Sequence, residues 1–226
     1  MGACVMNLEA ILRNFENILY PALLETLYMS FTATFLAFLI ALIPAIVLTV
    51  TDKGGLWENK SIYSVLDFII NILRSFPFLV LIVVLSPFTK YLIGISIGTT
   101  ATIVPLTIGI APYLAKMIES AFKEIDPAII EAARSYGASK VQIIFKVMFS
   151  EALPSIINGI TLILIIVIGF SAMAGTVGGG GLGDVAIRYG YERFRTDIMI
   201  QTVVILIILV QIIQFIGNIL YKITKR

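Results

Sequence analysis

Residues 152–176, ALPSIINGITLILIIVIGFSAMAGT, decide the fold of this chain because they contain no charged side chain. A helix needs roughly 20 mostly apolar residues to cross about 30 Å of hydrocarbon, and this stretch is longer than that. The whole sequence agrees: of 226 residues, 59% are hydrophobic and 13% are charged. Soluble domains are about 25% charged. The sequence therefore predicts a bilayer protein and argues against a soluble enzyme, a nucleic-acid binder and a disordered tail.

Similar apolar segments recur on both sides of this stretch. The five predicted membrane spans are residues 26–51, 61–89, 95–116, 152–176 and 198–221. The second is marginal because Asp67 and Arg74 interrupt it, and a charge at the membrane centre costs about 2.5–3.5 kcal/mol. We expect it to insert with its first part near a polar boundary. The predicted fold class is an all-α integral membrane protein with five transmembrane helices.

The distribution of Lys and Arg predicts the orientation of these helices. With the N-terminus outside, the inner segments carry ten of these residues and the outer segments five, as the positive-inside rule requires. The C-terminus is then inside. We divide the chain into an N-terminal amphipathic segment (1–20), a transmembrane domain (21–222) and a cytoplasmic tail (223–226).

The loop between the third and fourth spans, residues 123–150, has the signals of a folded hairpin. Asp126-Pro127 combines an N-cap acceptor with proline at the first helical position. Gly137 supplies a left-handed stop. Ser139 and Gln142 then form a capping box. The sequence predicts two short helices that hinge at Gly137, the second of which runs toward Leu153-Pro154.

The first of these helices carries Glu131, Ala132 and Ala133. The two alanines have small side chains, so another protein can approach the helix closely. The glutamate offers a charge for anchoring. This pattern is typical of a helix laid in a partner's groove. Composition alone favours the alternative, an amphipathic helix that lies on the membrane surface.

The loop resembles the EAA loop of ABC-importer permeases. The similarity rests on the pattern Glu131-Ala132-Ala133-x3-Gly137, with Val147 at the usual offset and Leu153-Pro154 beyond it. Phe149-Ser150 departs from the family pattern, which has Leu-Pro there. Longer similarities to the methionine-uptake branch of the family lie at residues 74–78, 97–107 and 169–183.

The resemblance implies a bacterial plasma (inner) membrane permease that imports an amino acid, most simply methionine. Glu131, Ala132, Ala133 and Gly137 would dock on a separate dimer of ATPase subunits. An extracytoplasmic substrate-binding protein and a second copy of the chain are the other implied partners, besides the lipid bilayer. Ser171, Ala172 and Met173 would line the translocation path, although ordinary helix packing explains them about as well locally. Another small amino acid or a methionine derivative is the alternative substrate.

The sequence predicts no catalytic, cofactor-binding or metal site in the chain. It has no histidine and one cysteine, Cys4, so imidazole metal sites are excluded. Gly178–Gly183 matches G-x-G-x-x-G, but it follows an apolar helix rather than a strand, so we expect a flexible or tightly turning outer loop. Residues 54–61 only approach a P-loop, since Asn59 replaces its second glycine. ATP must therefore be bound by the partner ATPase.

Three further groups of polar residues have open interpretations. Arg188, Arg193 and Arg195 alternate with aromatic residues, which favours anchoring at the membrane interface over contact with a delivery protein. Gln211, Gln214 and Asn218 share a helical face that points into the bundle or toward a second copy. Arg74 could meet a substrate carboxylate, but we favour a boundary charge balanced by Asp67 or lipid.

Two functions from other classes compete with an importer. A membrane-embedded enzyme would need convergent acid, base or metal groups, and the spans hold no histidine and almost no carboxylate. A passive channel or a membrane scaffold could share the hydropathy, but neither needs a capped, alanine-faced hairpin.

Overall fold

The computed structural model describes residues 8–225, and every regular element in this range is helical. The helices are α1 Leu8–Asn14, α2 Tyr20–Thr51, α3 Lys60–Arg74, α4 Phe78–Ile93, α5 Thr99–Lys123, α6 Pro127–Ser135, α7 Lys140–Gln142, α8 Phe149–Gly175, α9 Gly181–Val185 and α10 Thr196–Thr224. Three π-helical turns accompany them, at Phe15–Leu19, Ile143–Met148 and Ala186–Tyr191. Cys4, Arg226 and the start of the predicted 1–20 segment lie outside the described residues.

Four helical stretches of the described chain are long and apolar enough to cross a membrane. They are Ile11–Thr51, Thr99–Lys123, Lys140–Gly175 and Thr196–Thr224. A fifth candidate span is the pair α3 and α4, which is bent by 100° at the break between the two helices. The helical membrane fold predicted from the sequence is therefore confirmed, with four candidate spans in the described residues, or five if the bent pair is one span.

Residues 61–89, predicted as one span, form two helices with a break between them, and Pro77 supplies the reason for the break. Pro77 has φ −61° and ψ 129°, an extended conformation, and its ring disfavours helical geometry at the preceding residue. The chain leaves α3 at Ser75, whose N–H donates to the Ile72 carbonyl at 3.0 Å. Consequently the charged residues Asp67 and Arg74 belong to a separate helix, α3, and not to the middle of a continuous span.

The chain forms two compact units. The first comprises the residues up to 33, residues 77–107 and residues 164–212; the second comprises residues 34–76, residues 108–163 and the residues from 213 onward. In the first unit a buried apolar cluster joins three parts of the sequence. Its fully enclosed members are Leu19, Ala22, Leu182, Val185 and Ile198.

The second unit is built on close helix packing. Ala37, Ala41 and Ala45 on α2 are completely buried, and their spacing of four residues places them on one helix face. On α8, a Cβ at Gly159 would overlap the thioether of Met117 on α5. Small residues that let helices approach closely are typical of packing within membranes.

Leu153-Pro154 does not interrupt the helix that leads into the fourth predicted span. The helix α8 begins at Phe149 and runs through Pro154 without interruption. The irregularity lies earlier, in the π-helical turn Ile143–Met148. A proline removes the hydrogen bond to the carbonyl four residues before it and crowds that carbonyl; here the residue is Ser150, which is exposed, so its carbonyl can turn toward solvent. The helix therefore tolerates Pro154.

Candidate functional site

Helix α6 has the two ends that the sequence predicts. At its start, Asp126 Oδ1 accepts a hydrogen bond from the Ala128 N–H at 2.9 Å, and Pro127 is the first helical residue. At its end, Gly137 adopts φ +81°. The Gly137 N–H donates to the Arg134 carbonyl at 2.9 Å and the Ala138 N–H to the Ala133 carbonyl at 3.1 Å. This pair of bonds is the Schellman motif, so the glycine stop is confirmed.

The capping box after Gly137 is also confirmed. The Gln142 N–H donates to Ser139 Oγ at 3.3 Å, and Gln142 Oε1 accepts from the Ser139 N–H at 2.8 Å. The helix that starts here, α7, continues through the π-helical turn into α8. The loop is therefore a short helix, a glycine hinge and the beginning of a long helix.

The two sides of α6 face different surroundings, and none of its residues is buried. Pro127, Ile130, Glu131 and Arg134, three or four positions apart, all line one cavity. The other side presents Ala128, Ala132 and Ser135 as exposed residues, and Tyr136 beyond them is 92% exposed. Glu131 and Ala132, although adjacent in sequence, thus lie on different sides of the helix.

The cavity under α6 has a volume of about 240 Å³. Its other walls come from the end of α2 with the turn that follows, the end of α5, and Met148. Charged side chains of both signs line it: Asp52, Lys53, Lys123, Glu131 and Arg134. The alanine-bearing helix of the loop therefore rests against a partly polar space and not against a packed apolar core.

Asp52 and Lys123 form an ion pair on the wall of this cavity, with Oδ2 and Nζ 2.6 Å apart. Burial by itself would raise the pKa of the Asp52 carboxyl. The hydrogen bonds from Lys123 and from the Lys53 N–H outweigh burial, so the pKa of Asp52 lies below its ordinary value. The Lys53 N–H bond measures 2.8 Å. Asp52 is therefore firmly ionised at neutral pH.

A larger charge network continues from this pair along α5. Glu119, whose side chain is 2% exposed, lies 2.5 Å from Lys116 and 2.7 Å from Lys123. Lys116 in turn lies 2.7 Å from Asp67 on α3. The sequence interpretation missed this network, although the spacing of residues 116, 119 and 123 places all three on one face of a helix. The third span was predicted to end at residue 116, which placed Glu119 and Lys123 outside that helix.

Of the two partners expected to balance Arg74, Asp67 and lipid, Asp67 is engaged elsewhere. Asp67 pairs with Lys116 and also accepts a hydrogen bond from Asn71 at 3.0 Å. The Arg74 guanidinium lies over the ring of Tyr113, 4.9 Å from its centroid. The Tyr113 hydroxyl donates to the Arg74 carbonyl at 2.8 Å. Asp67 and Arg74 are separated by about 10 Å along the axis of α3, so Asp67 pairs instead with Lys116 of α5, which is close to it.

The three residues proposed for a translocation path point in different directions from α8. Ser171 is 1% exposed and its hydroxyl donates to the Ile168 carbonyl at 2.8 Å. Ala172 lines an open apolar groove of about 310 Å³ that α8 forms with α10. Met173 is 45% exposed. Within a single chain, Ala172 and Met173 are accessible and Ser171 is a packing residue.

The glycine-rich loop is a tight turn, as predicted. Gly178, Gly180 and Gly181 have φ between +76° and +80°, where L side chains are strained. Its amides already have acceptors: Glu25 Oε2 accepts from the Gly181 N–H at 2.7 Å, and Thr26 Oγ1 from the Leu182 N–H at 2.9 Å. Both N–H groups are therefore bound within the chain.

The arginines near the start of α10 have contacts within the first unit. Arg188 pairs with Asp184 at 3.0 Å and Arg195 with Asp197 at 2.6 Å. Arg193 lies over the Tyr189 ring at 4.7 Å. Further along α10, Gln214 Nε2 donates to Asn218 Oδ1 at 3.0 Å, while Gln211 lies on the groove with Ala172. In the single chain Gln211 and Asn218 are exposed and Gln214 is half-buried.

Comparison with known proteins gives consistent results. The profile of one family, described as "Binding-protein-dependent transport system inner membrane component", matches residues 38–226. The Vibrio cholerae protein named "Probable D-methionine transport system permease protein MetI" is 51% identical over 92% of each chain. The Bacillus subtilis "Methionine import system permease protein MetP" is 44% identical, over 92% of this chain and 94% of the relative.

A solved structure, described as "Inward facing conformations of the MetNI methionine ABC transporter: CY5 native crystal form", has the same fold. One of its chains superposes with a TM-score of 0.90 at 43% identity. The match covers 92% of this chain and 97% of that one.

Proposed function

Because this chain belongs to the family of inner membrane components of binding-protein-dependent transport systems, we propose that it is the permease subunit of an ATP-driven methionine importer. Relatives that are 51% and 44% identical carry methionine transport names, and those names support the substrate. The observation that carries the coupling to ATP is the capped helix α6, whose alanine face is exposed and whose opposite side rests on a cavity.

We place the docking of the ATPase on α6. The exposed face carries only the small side chains of Ala128, Ala132 and Ser135. A partner can therefore approach the helix closely and hold it in a groove. The Schellman motif at Gly137 and the capping box at Ser139 fix the direction in which this face is presented. In this arrangement Glu131 and Ala133 support the helix from its inner sides, and Ala132 makes the direct contact.

The chain supplies translocation, and its partners supply energy and substrate. ATP would bind to two ATPase subunits on the cytoplasmic side, and the permease itself would hydrolyse nothing. A substrate-binding protein would deliver methionine from the other side, and a second copy of the chain would complete the passage. These assignments follow the description of the family and that of the solved methionine ABC transporter.

Ala172 and Met173 are the residues of this chain that we place beside the passage. Both are accessible in the single chain, and Ser171 packs behind them. A flexible, polarisable thioether such as that of Met173 adapts to an apolar side chain in transit. The bonded, buried hydroxyl of Ser171 gives it a supporting role.

Transport would follow alternating access. Closure of the ATPases displaces α6. The displacement shifts the helices between two arrangements, and in each of them the passage is open to a different side of the membrane. Such a change is driven only if ATP binds the two arrangements with different affinity. The cavity of about 240 Å³ under α6 leaves room for the helix to move.

Uptake by proteoliposomes that contain the permease, its ATPase and the binding protein tests this function. We expect labelled methionine to accumulate only when ATP is present on the ATPase side. Flux without ATP would instead identify a passive channel, and accumulation of a different amino acid would reassign the substrate. A mixture in which the binding protein is omitted serves as the control.

A further inference from the structure

Glu119 is a buried carboxylate that belongs neither to the docking helix α6 nor to the residues beside the proposed passage. It lies on α5 with its side chain 2% exposed. Two ammonium groups of the same helix reach it, Lys116 at 2.5 Å and Lys123 at 2.7 Å. The Tyr63 hydroxyl of α3 donates a third contact at 3.1 Å. One anion therefore serves two cations and a hydroxyl.

Each lysine has a second partner on another element. Lys116 reaches Asp67 on α3 at 2.7 Å, and Lys123 reaches Asp52, just after α2, at 2.6 Å. Lys123 also lies over the ring of Tyr63, 5.1 Å from its centroid. Lys116 and the Tyr63–Glu119 bond thus tie α5 to α3, Lys123 ties it to the turn that follows α2, and Glu119 holds both lysines.

The network ends at the cavity below α6. Asp52 and Lys123 line that cavity together with Glu131 and Arg134 of α6. A displacement of α6 toward this wall therefore meets the charged end of the network first.

Breaking such a network is costly, because removing one partner leaves a poorly solvated charge without compensation. The elements it joins therefore move together and do not slide past one another. We propose that Glu119 is a positioning residue for coupled transport, which makes α3 and α5 respond as one body when α6 is displaced. This inference rests on the proposed function, in which α6 receives the ATPase.

The competing explanation is that the network only stabilises the fold. The two differ in one quantity, the number of substrate molecules imported for each ATP hydrolysed. A residue that only stabilises the fold changes the amount of active complex, so import and hydrolysis fall in the same proportion. A residue that transmits motion changes their ratio.

The test uses the complete complex in proteoliposomes, with the isosteric variant Glu119→Gln. We expect methionine import per ATP hydrolysed to fall by about fivefold or more, the lower end of typical coupling between sites. Glu124→Gln is the matched control, since Glu124 follows α5 directly, is exposed and accepts only from Ser155 in a bond of 2.8 Å. It should leave the ratio unchanged.

The outcomes separate the inference from the proposed function. A wild-type complex that accumulates no methionine would overturn the proposed function and the inference with it. If the wild type works and Glu119→Gln imports as much methionine per ATP hydrolysed, the inference alone is overturned. The same holds if import and hydrolysis by the variant fall in equal proportion. If that variant yields no complex, Asp52→Asn breaks the network at its exposed end, and an unchanged ratio there has the same meaning.

Discussion

Asp52 and Lys123 approach to 2.6 Å on the wall of the cavity that Glu131 and Arg134 close from the other side. The pair joins the turn after α2 to the last residue of α5. A charge contact therefore stabilises the cavity wall beneath α6. Helix α6 has no buried residue of its own. Its position therefore depends on its capped ends and on this wall.

The Asp52–Lys123 pair predicts a pH dependence of stability. The pKa of Asp52 is lowered in the folded protein, so the pair stabilises the fold above the ordinary carboxyl pKa of 3.8. This contribution disappears as the pH falls through the lowered value. We expect Asp52→Asn to cost about 0.2–1 kcal/mol at neutral pH, typical of a partly exposed pair.

Thermal unfolding of the purified permease at several pH values measures this effect. The melting temperatures of wild type and Asp52→Asn should differ at neutral pH and converge below pH 3.8. A difference that stays constant across the whole range would show that the carboxylate charge is not its source. Lys123→Gln should also lower the melting temperature at neutral pH.

Gly137→Ala is expected to weaken the α6 hinge. Gly137 has φ +81°, and a left-handed conformation costs an L residue about 1–2 kcal/mol. Because a Cβ there meets no atom within 4 Å, the loss comes from backbone strain and not from a clash. Co-purification of the ATPase subunit should decrease while membrane insertion stays normal.

Gly94→Ala is a suitable control for the hinge, since Gly94 follows α4 with the same φ of +81° and a Cβ there also meets no atom within 4 Å. If Gly137→Ala bound the ATPase as well as this control does, the glycine would not be needed to present α6.

Ala132→Phe should interfere with docking without affecting folding. Ala132 is exposed on the side of α6 that faces away from the cavity, so the added ring has room in the free permease and obstructs only an approaching partner. We expect affinity for the ATPase to fall by about tenfold, which corresponds to about 1.4 kcal/mol.

Glu131→Gln provides the contrast, because Glu131 lines the cavity. Its effect on binding should be clearly smaller than that of Ala132→Phe. The reverse order, measured by titration of the purified ATPase, would place the docking contact on the other side of the helix.

Gly180→Ala should destabilise the glycine-rich turn strongly. Gly180 has φ +76°, and a Cβ there would come within 3 Å of Thr99 Oγ1 and the Glu25 carboxylate. Strain and overlap together predict a loss of about 2 kcal/mol or more. Gly169→Ala is the control, since a Cβ there meets open space. Equal melting temperatures for the two variants would contradict the tight packing of this turn.

Local signals made α6 predictable from the sequence. Asp126, Pro127, Gly137 and Ser139 each act on the backbone within a few residues, so their effects could be read from spacing alone. The apolar segments likewise indicated the membrane helices, because their length is set by the bilayer. The break between α3 and α4 was not predicted, since there a single residue, Pro77, decides between two local conformations.

Contacts between distant segments could not be predicted in the same way. Asp67 was matched with Arg74 because they are close in sequence, whereas its partner Lys116 lies 49 residues away. The direction of Glu131 depends on how the turn after α2 packs under α6, which no spacing in the loop encodes. The side of α8 that Ser171 occupies is likewise set by tertiary packing.

The contact of α6 with a separate ATPase is tested most directly by cross-linking from position 132. A small diazirine amino acid, photo-leucine, replaces Ala132, and the assembled complex is irradiated. We predict a covalent adduct between the permease and the ATPase subunit, and much less adduct from the same replacement at position 131. A complex that imports methionine with ATP, yet gives no adduct from position 132, would contradict this mechanism.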